Sequence, residues 1–252
     1  MKNKLGFIKT LAALFCLSTF LFGQNIDEGE TKIINGIECV LVKAGTFIMG
    51  ATDNESGQSD EFPRHKVTLT KDFYIGKYLI TQKQYKKIMG KEPSFFKGDS
   101  LPVERVNWYD AVAFCKKVGG RLPTEAEWEF AARGGNNSKG YIYSGSNDLN
   151  SVAWYGYNSG GTTQVVGTKM PNELGTYGMS GNVWEWCNDW YDFYPKGPVT
   201  NPKGPVSGVF RVIRGGSWSS IGRVGCRNAI RDYIKPNISS QYWGFRVAFN
   251  AD

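Results

Sequence analysis

Three short helices, each opened by a capping signal and closed by glycine, limit what this chain can build. Thr81 with Gln84, Asn107 with Asp110 and Thr124 with Glu127 each place a short polar acceptor three residues ahead of a side chain that can reach back. The first signal precedes Tyr85–Met89 and a stop at Gly90; the second opens Trp108–Val118 before Gly119-Gly120. The third opens Glu125–Arg133 before Gly134-Gly135, where Trp128 and Ala131-Ala132 form a buried stripe. No other stretch holds a helical period for long. With 31 glycines and 14% aromatics, the remainder reads as loop and short strand, an α+β chain rich in loops.

Cys39–Val42 and Thr46–Met49 alternate about Ala44-Gly45, which predicts a hairpin. Lys66–Leu69 and Phe73–Ile75 predict a second strand pair or one bent strand, and Arg211–Arg214 and Phe245–Phe249 alternate as half-buried strands do. Trp184 and Trp186 fall on one face of a strand and are assigned to the core. Between Gly135 and Met179 the chain is polar and aperiodic, so irregular surface loop is expected. Pro195–Val199 recurs as Pro202–Val206, a rigid turn-rich loop. No linker divides the chain, and residues 24–252 are expected to form one domain.

Lys2, Lys4 and Lys9 lead into an apolar run over Leu11–Phe22 that is too short to span a bilayer. That pattern predicts a secretory signal over 1–23 and an exported protein: periplasmic, secreted or at the cell surface. Bulky Phe15 ahead of Cys16 argues against a lipid anchor there. No later run is long enough for a transmembrane helix. Loss of the three signal lysines lowers the net charge from +7 to +4, with acids and bases interleaved, so nucleic acid is not an expected partner. Export permits disulfides among Cys39, Cys115, Cys187 and Cys226, for which three pairings exist. The single histidine, His65, excludes metal sites built on several imidazoles and is read as a hydrogen-bonded structural residue.

Gly181-Asn-Val-Trp-Glu-Trp186, Arg214-Gly-Gly-Ser-Trp218 and Gly244-Phe-Arg-Val-Ala-Phe249 stand in order. Upstream lie Val42–Gly50, Glu61–Val67, Pro102–Cys115 and the unbroken run Arg121–Glu129. Together these resemble the formylglycine-generating enzyme (sulfatase-modifying factor) family across 33–250. The resemblance implies an elaborated C-type lectin fold. In the family's oxidases two cysteine thiolates hold Cu(I), a soft ion suited to sulfur. Aligned on Gly215-Gly216-Ser217, the first of those positions is Ser220 and the second Gly225, with Cys226 one residue beyond. Copper is therefore not expected, and a non-catalytic protein is. The alternative is an oxidase or maturation enzyme in which Cys226 acts on a cysteine-containing partner. Otherwise Cys226 is expected in a disulfide, with Cys187 one candidate, or buried and inert.

The resemblance also implies a calcium site from the carbonyls of Gly181 and Val183 and the carboxylate of Glu185. The competing reading pairs Glu185 with Arg227 or Arg246. Variable proteins of diversity-generating retroelements resemble this family and randomise the segment between its last two motifs. In this chain that segment carries Ser219, Ser220, Arg223, Asn228, Arg231, Asp232, Tyr233, Asn237, Ser239, Ser240, Gln241 and Tyr242. Polar residues with tyrosine suit an adaptable surface for a protein or small ligand, and a merely solvated loop is the alternative.

Overall fold

The computed structural model describes residues 29–52, 55–222 and 224–251, so the expected signal, Cys16 and Arg223 lie outside the described residues. In chain order the elements are β1 (Thr31–Ile34), β2 (Ile37–Val42), β3 (Gly45–Met49), β4 (His65–Leu69), β5 (Phe73–Gly76), α1 (Gln82–Met89), α2 (Trp108–Lys117) and α3 (Glu125–Ala132). There follow α4 (Leu149–Val152), β6 (Trp184–Trp190), β7 (Val199–Thr200), β8 (Arg211–Arg214), β9 (Arg231–Ile234), β10 (Trp243–Gly244) and β11 (Ala248–Asn250). The strands form three sheets, ordered β1-β2-β5-β11, β10-β6-β8-β9 and β3-β4-β7. This is the loop-rich α+β class expected of the sequence.

All three capping boxes form as the spacing requires. The Thr81 side chain accepts from Gln84 N, Asn107 from Asp110 N and Thr124 from Glu127 N, each answered by the reciprocal bond. Gly90 closes α1 in the left-handed conformation, φ 69°.

The strand partners differ from the one expected hairpin, while Lys66–Leu69 and Phe73–Ile75 follow the bent-strand alternative. β2 does not pair with β3; it pairs with β1 and β5, while β3 pairs with β4. The tight turn lies instead at Asn35-Gly36, both with positive φ (49° and 84°), which joins β1 to β2. β2–β3 and β4–β5 are thus two bent strands that run antiparallel and cross together from one sheet into another. Asp72 holds the corner, accepting from Ala44 N at 2.7 Å and from Lys43 Nζ at 3.0 Å. Phe245–Phe249 is likewise not one strand: β11 begins only at Ala248, and Phe245 O and Val247 O accept singly from Ile80 N and Gly76 N.

Trp128 and Phe73 centre one apolar cluster; Trp186, Phe114 and Phe245 centre another. Trp186 is fully buried and its Nε1 donates to Val106 O at 3.0 Å, so the core assignment of this face holds. The 135–179 segment is irregular, yet it is not merely surface. Tyr143, Leu149, Val152, Ala153 and Tyr155 bury a third cluster together with Cys226. Its aperiodic apolar residues gather around long-range contacts, which no local pattern reveals.

The expected disulfides are absent: Cys39, Cys115, Cys187 and Cys226 are all free and buried. Cys187 belongs to the Trp128 cluster and Cys226 to the third, so each thiol serves as a small apolar group in its own core. Among the described residues no helix is long and apolar enough to cross a membrane.

Candidate functional site

β8 ends at Arg214, and Gly215 and Gly216, with φ 93° and 78°, turn the chain into the Ser217–Cys226 loop. Both positions lack room for a side chain. A Cβ on Gly215 would lie 2.9 Å from the Trp128 ring, and one on Gly216 would meet Gly225 O and stand 2.9 Å from Cys226 Sγ. The loop closes on itself: Ser217 N donates to Ser220 Oγ at 2.9 Å, and Ser220 N to Ser217 O at 3.0 Å. Ser219 Oγ lies 3.1 Å from Ser217 Oγ. The Ser220 side chain rests against Gly225 and is hydrogen-bonded to Cys226. Burial pushes the Cys226 thiol up to about 12, against the smaller downward effect of the Ser220 bond. The position expected to hold the first thiolate is thus a hydroxyl seated on a buried, protonated thiol. Two sulfurs that could grip Cu(I) are not assembled here, and the donor set does not fit copper.

Beside this loop lies a row of aromatic rings. Trp218 stacks on Tyr242 with centroids 5.0 Å apart, and Phe96 meets Trp218 edge-on at 5.4 Å. Phe95 packs against Phe96 at 5.1 Å, and the Arg105 guanidinium sits 5.1 Å over Phe95. Trp218 is fixed by its own polar atoms, its N donating to Asn182 O at 2.7 Å and its Nε1 to Gln241 O at 3.1 Å. Phe95 remains 53% exposed, a large apolar ring left facing solvent. Ser240 anchors the edge, its carbonyl accepting from Arg105 N at 3.0 Å. Ser219, Ser220, Ser240, Gln241 and Tyr242 are therefore brought to one place. Phe95, Phe96 and Arg105 were not expected there, although the twin aromatics in a polar stretch after Pro93-Ser94 were a legible signal.

The other predicted residues separate from this group. Asp232 and Tyr233 are exposed on β9, where Tyr233 packs on Tyr191 at 4.1 Å and Phe210 at 5.1 Å. Asn237 and Ser239 are exposed on the turn that follows. Asn228 and Arg231 are not surface residues: they are 1% and 2% exposed. Arg231 makes a bidentate pair with Glu125, both contacts 2.8 Å, and Asn228 Nδ2 donates to Tyr141 O. Burial of so polar a side chain requires such partners, and Glu125 is too distant in sequence to betray them.

The calcium positions are closed as well. Glu185 is 1% exposed and accepts from Arg246 Nε and Nη2 at 2.6 and 2.7 Å and from Trp128 Nε1 at 2.9 Å. A calcium ion using that carboxylate would have to break the Arg246 pair, so the donor set does not fit the ion. Arg246 is one of the two partners weighed for Glu185; Arg227 instead binds Glu61 at 2.6 and 2.7 Å. Among the described residues no group of three or more His, Cys, Asp and Glu side chains could hold a metal.

Fold and site define a class: a loop-rich α+β scaffold, pinned by buried arginine–glutamate pairs, that carries a glycine-turned loop beside an aromatic row. The chain belongs to the family of the sulfatase-modifying factor enzyme 1-like domain, which matches residues 27–251. It is 37% identical to the chaperone protein LppX of Paenibacillus barcinonensis over 77% of this chain and 82% of that protein. It is 40% identical to the formylglycine-generating enzyme of Streptomyces coelicolor over 60% of this chain, spanning 53% of that enzyme's length. Among solved structures, variable protein 1 of Treponema denticola superposes with a TM-score of 0.77 at 32% identity, over 88% of this chain and 99% of that one.

Proposed function

We propose that residues 24–252 form an exported, non-catalytic member of this family that binds a partner protein through the Phe95–Phe96–Trp218–Tyr242 row. The observation that carries the proposal is the pairing of Ser220 with a buried Cys226 thiol where the oxidase chemistry needs two thiolates. A thiol held near 12 supplies almost no thiolate at neutral pH. What remains is a recognition surface. Rigid stacked rings give contact area at low entropic cost, and Arg105, Ser219, Ser240 and Gln241 give polar contacts around them. A relative named as a chaperone accords with binding a partner protein.

The test is capture from host envelope extract on immobilised wild-type protein and on a Trp218→Ala/Tyr242→Ala variant of unchanged melting temperature. A partner retained by the wild type is expected to be lost from the variant. A partner that both retain equally, or no partner on either, would count against the reading.

A further inference from the structure

Apart from the aromatic row, a cavity of about 440 Å³ opens beside β6 and the 195–205 loop. Its polar lining includes His65, Asp189, and the Glu125–Arg231 pair; its apolar wall includes Phe193, Pro195, Pro202 and Pro205. Two of these groups have unused acceptor capacity. His65 is 6% exposed, and its Nδ1 lies 3.1 Å from Pro63 O. A carbonyl can only accept, so Nδ1 carries a proton, and in the tautomer this bond selects Nε2 is the acceptor nitrogen. No described residue bonds to that nitrogen. Asp189 is 3% exposed; its Oδ2 accepts from Glu125 N at 3.0 Å, and no described residue bonds to its other oxygen.

The cations nearby are already committed. Arg231 spends its donors on Glu125 and on the carbonyls of Asp60 and Asp192, both 3.0 Å away. Arg214 closes on Glu125 and Glu129, and Arg211 donates to Asn188 O while its guanidinium covers Trp190. Lys203 and Asp192, the other two charged lining residues, are exposed. Two buried acceptors lining one cavity with an apolar wall match a group with several donors and no acceptor.

We propose that this cavity binds a primary ammonium group on an apolar stem, such as a lysine side chain, between Asp189 and His65 Nε2. Phe193 and the three prolines cover the methylene stem, as apolar walls do for long basic side chains. Without a cation, burial and the Glu125 and Glu127 carboxylates push the Asp189 carboxyl up to about 8, although its bond from Glu125 N and the Arg231 charge pull it down. Cys187, buried beside it, stays a neutral thiol because burial and its acidic neighbours raise it well above its ordinary value. Entry of the ammonium ion favours the carboxylate, so Asp189 releases its proton to solvent below about pH 8. Affinity therefore rises with pH across that range.

The experiment is calorimetric titration of the purified protein with Nα-acetyl-lysine amide and with its Nε-acetylated form, at pH 6.5 and 8.5. Saturable binding of the free amine alone is expected, about 20-fold tighter at the higher pH. Asp189→Asn keeps an acceptor for Glu125 N, and it should weaken binding more than tenfold and flatten the pH dependence. His65→Phe keeps a ring beside Tyr194 and should weaken binding too, which decides the matter if Asp189→Asn fails to fold. Trp218→Ala/Tyr242→Ala should bind the amine unchanged, so this site stands or falls apart from the aromatic row. Equal binding of the acetylated form, unaltered affinity in a folded Asp189→Asn or His65→Phe protein, or no saturable binding of the amine would overturn the proposal.

Discussion

Replacing Arg214 with methionine lowers the stability of the protein by about 3 kcal/mol, a fall of roughly 10 °C in melting temperature for a chain of this size. Arg214 is fully buried and joins Glu125 at 3.0 Å, Glu129 at 2.5 Å, and Asn228 O at 2.8 Å. Methionine fills much of the space yet leaves two buried carboxylates with one cation fewer. The cost stays at the lower end of the range for broken buried pairs because each acid keeps another arginine, Arg231 for Glu125 and Arg133 for Glu129. Adding Glu129→Gln removes the orphaned charge, so the double variant should lose less than the sum of the single changes. Glu129 also ties the fold to pH. Burial pushes its carboxyl up, but Arg133, Arg214 and the Gly50 N–H outweigh that effect and hold it below its ordinary 4.5. The stabilisation it gives is fully present above 4.5 and is lost as pH falls through the lowered value. Arg214→Met should therefore move the acid unfolding midpoint to higher pH. A melting temperature within about 1 °C of wild type would show that these pairs carry no stability.

A second large effect is expected at Gly216. Its φ of 78° costs an L-residue about 1–2 kcal/mol, and a methyl group there would strike Gly225 O and Cys226 Sγ. Relief requires the 217–226 loop to move off its own closing contact, adding a further cost of about 1–3 kcal/mol for overpacking. Gly216→Ala should show a lowered melting temperature and a Cys226 that reacts with Ellman's reagent in the folded protein. Wild-type melting with an unreactive thiol would mean the loop is not built on that contact.

Local chemistry made the helices legible, because each capping box and its glycine stop lie within one or two turns of chain. Strand partners were not legible, since alternation tells which face a strand buries but not which strand it meets. The Asn35-Gly36 turn could have been read; the crossing at Ala44 and Asp72 depends on a bond between residues far apart in sequence. Ser219 and Ser220 lie together because the Gly215-Gly216 turn folds the next few residues locally, whereas Gln241 and Tyr242 reach them only through contacts with Trp218, more than twenty residues away in sequence. Arg231 and Asn228 looked like surface because arginine and asparagine usually are. Their acid and carbonyl partners, Glu125 and Tyr141, sit on elements that only the folded chain brings near.

Whether Cys226 is an inert core thiol or a copper ligand separates a binding protein from an oxidase. Anaerobic titration of the purified protein with Cu(I), against a competing chelator, decides this most directly. The structure predicts no tightly held stoichiometric copper and no change in Cys226→Ser. One equivalent of Cu(I) bound tightly, and lost in Cys226→Ser, would contradict the non-catalytic reading.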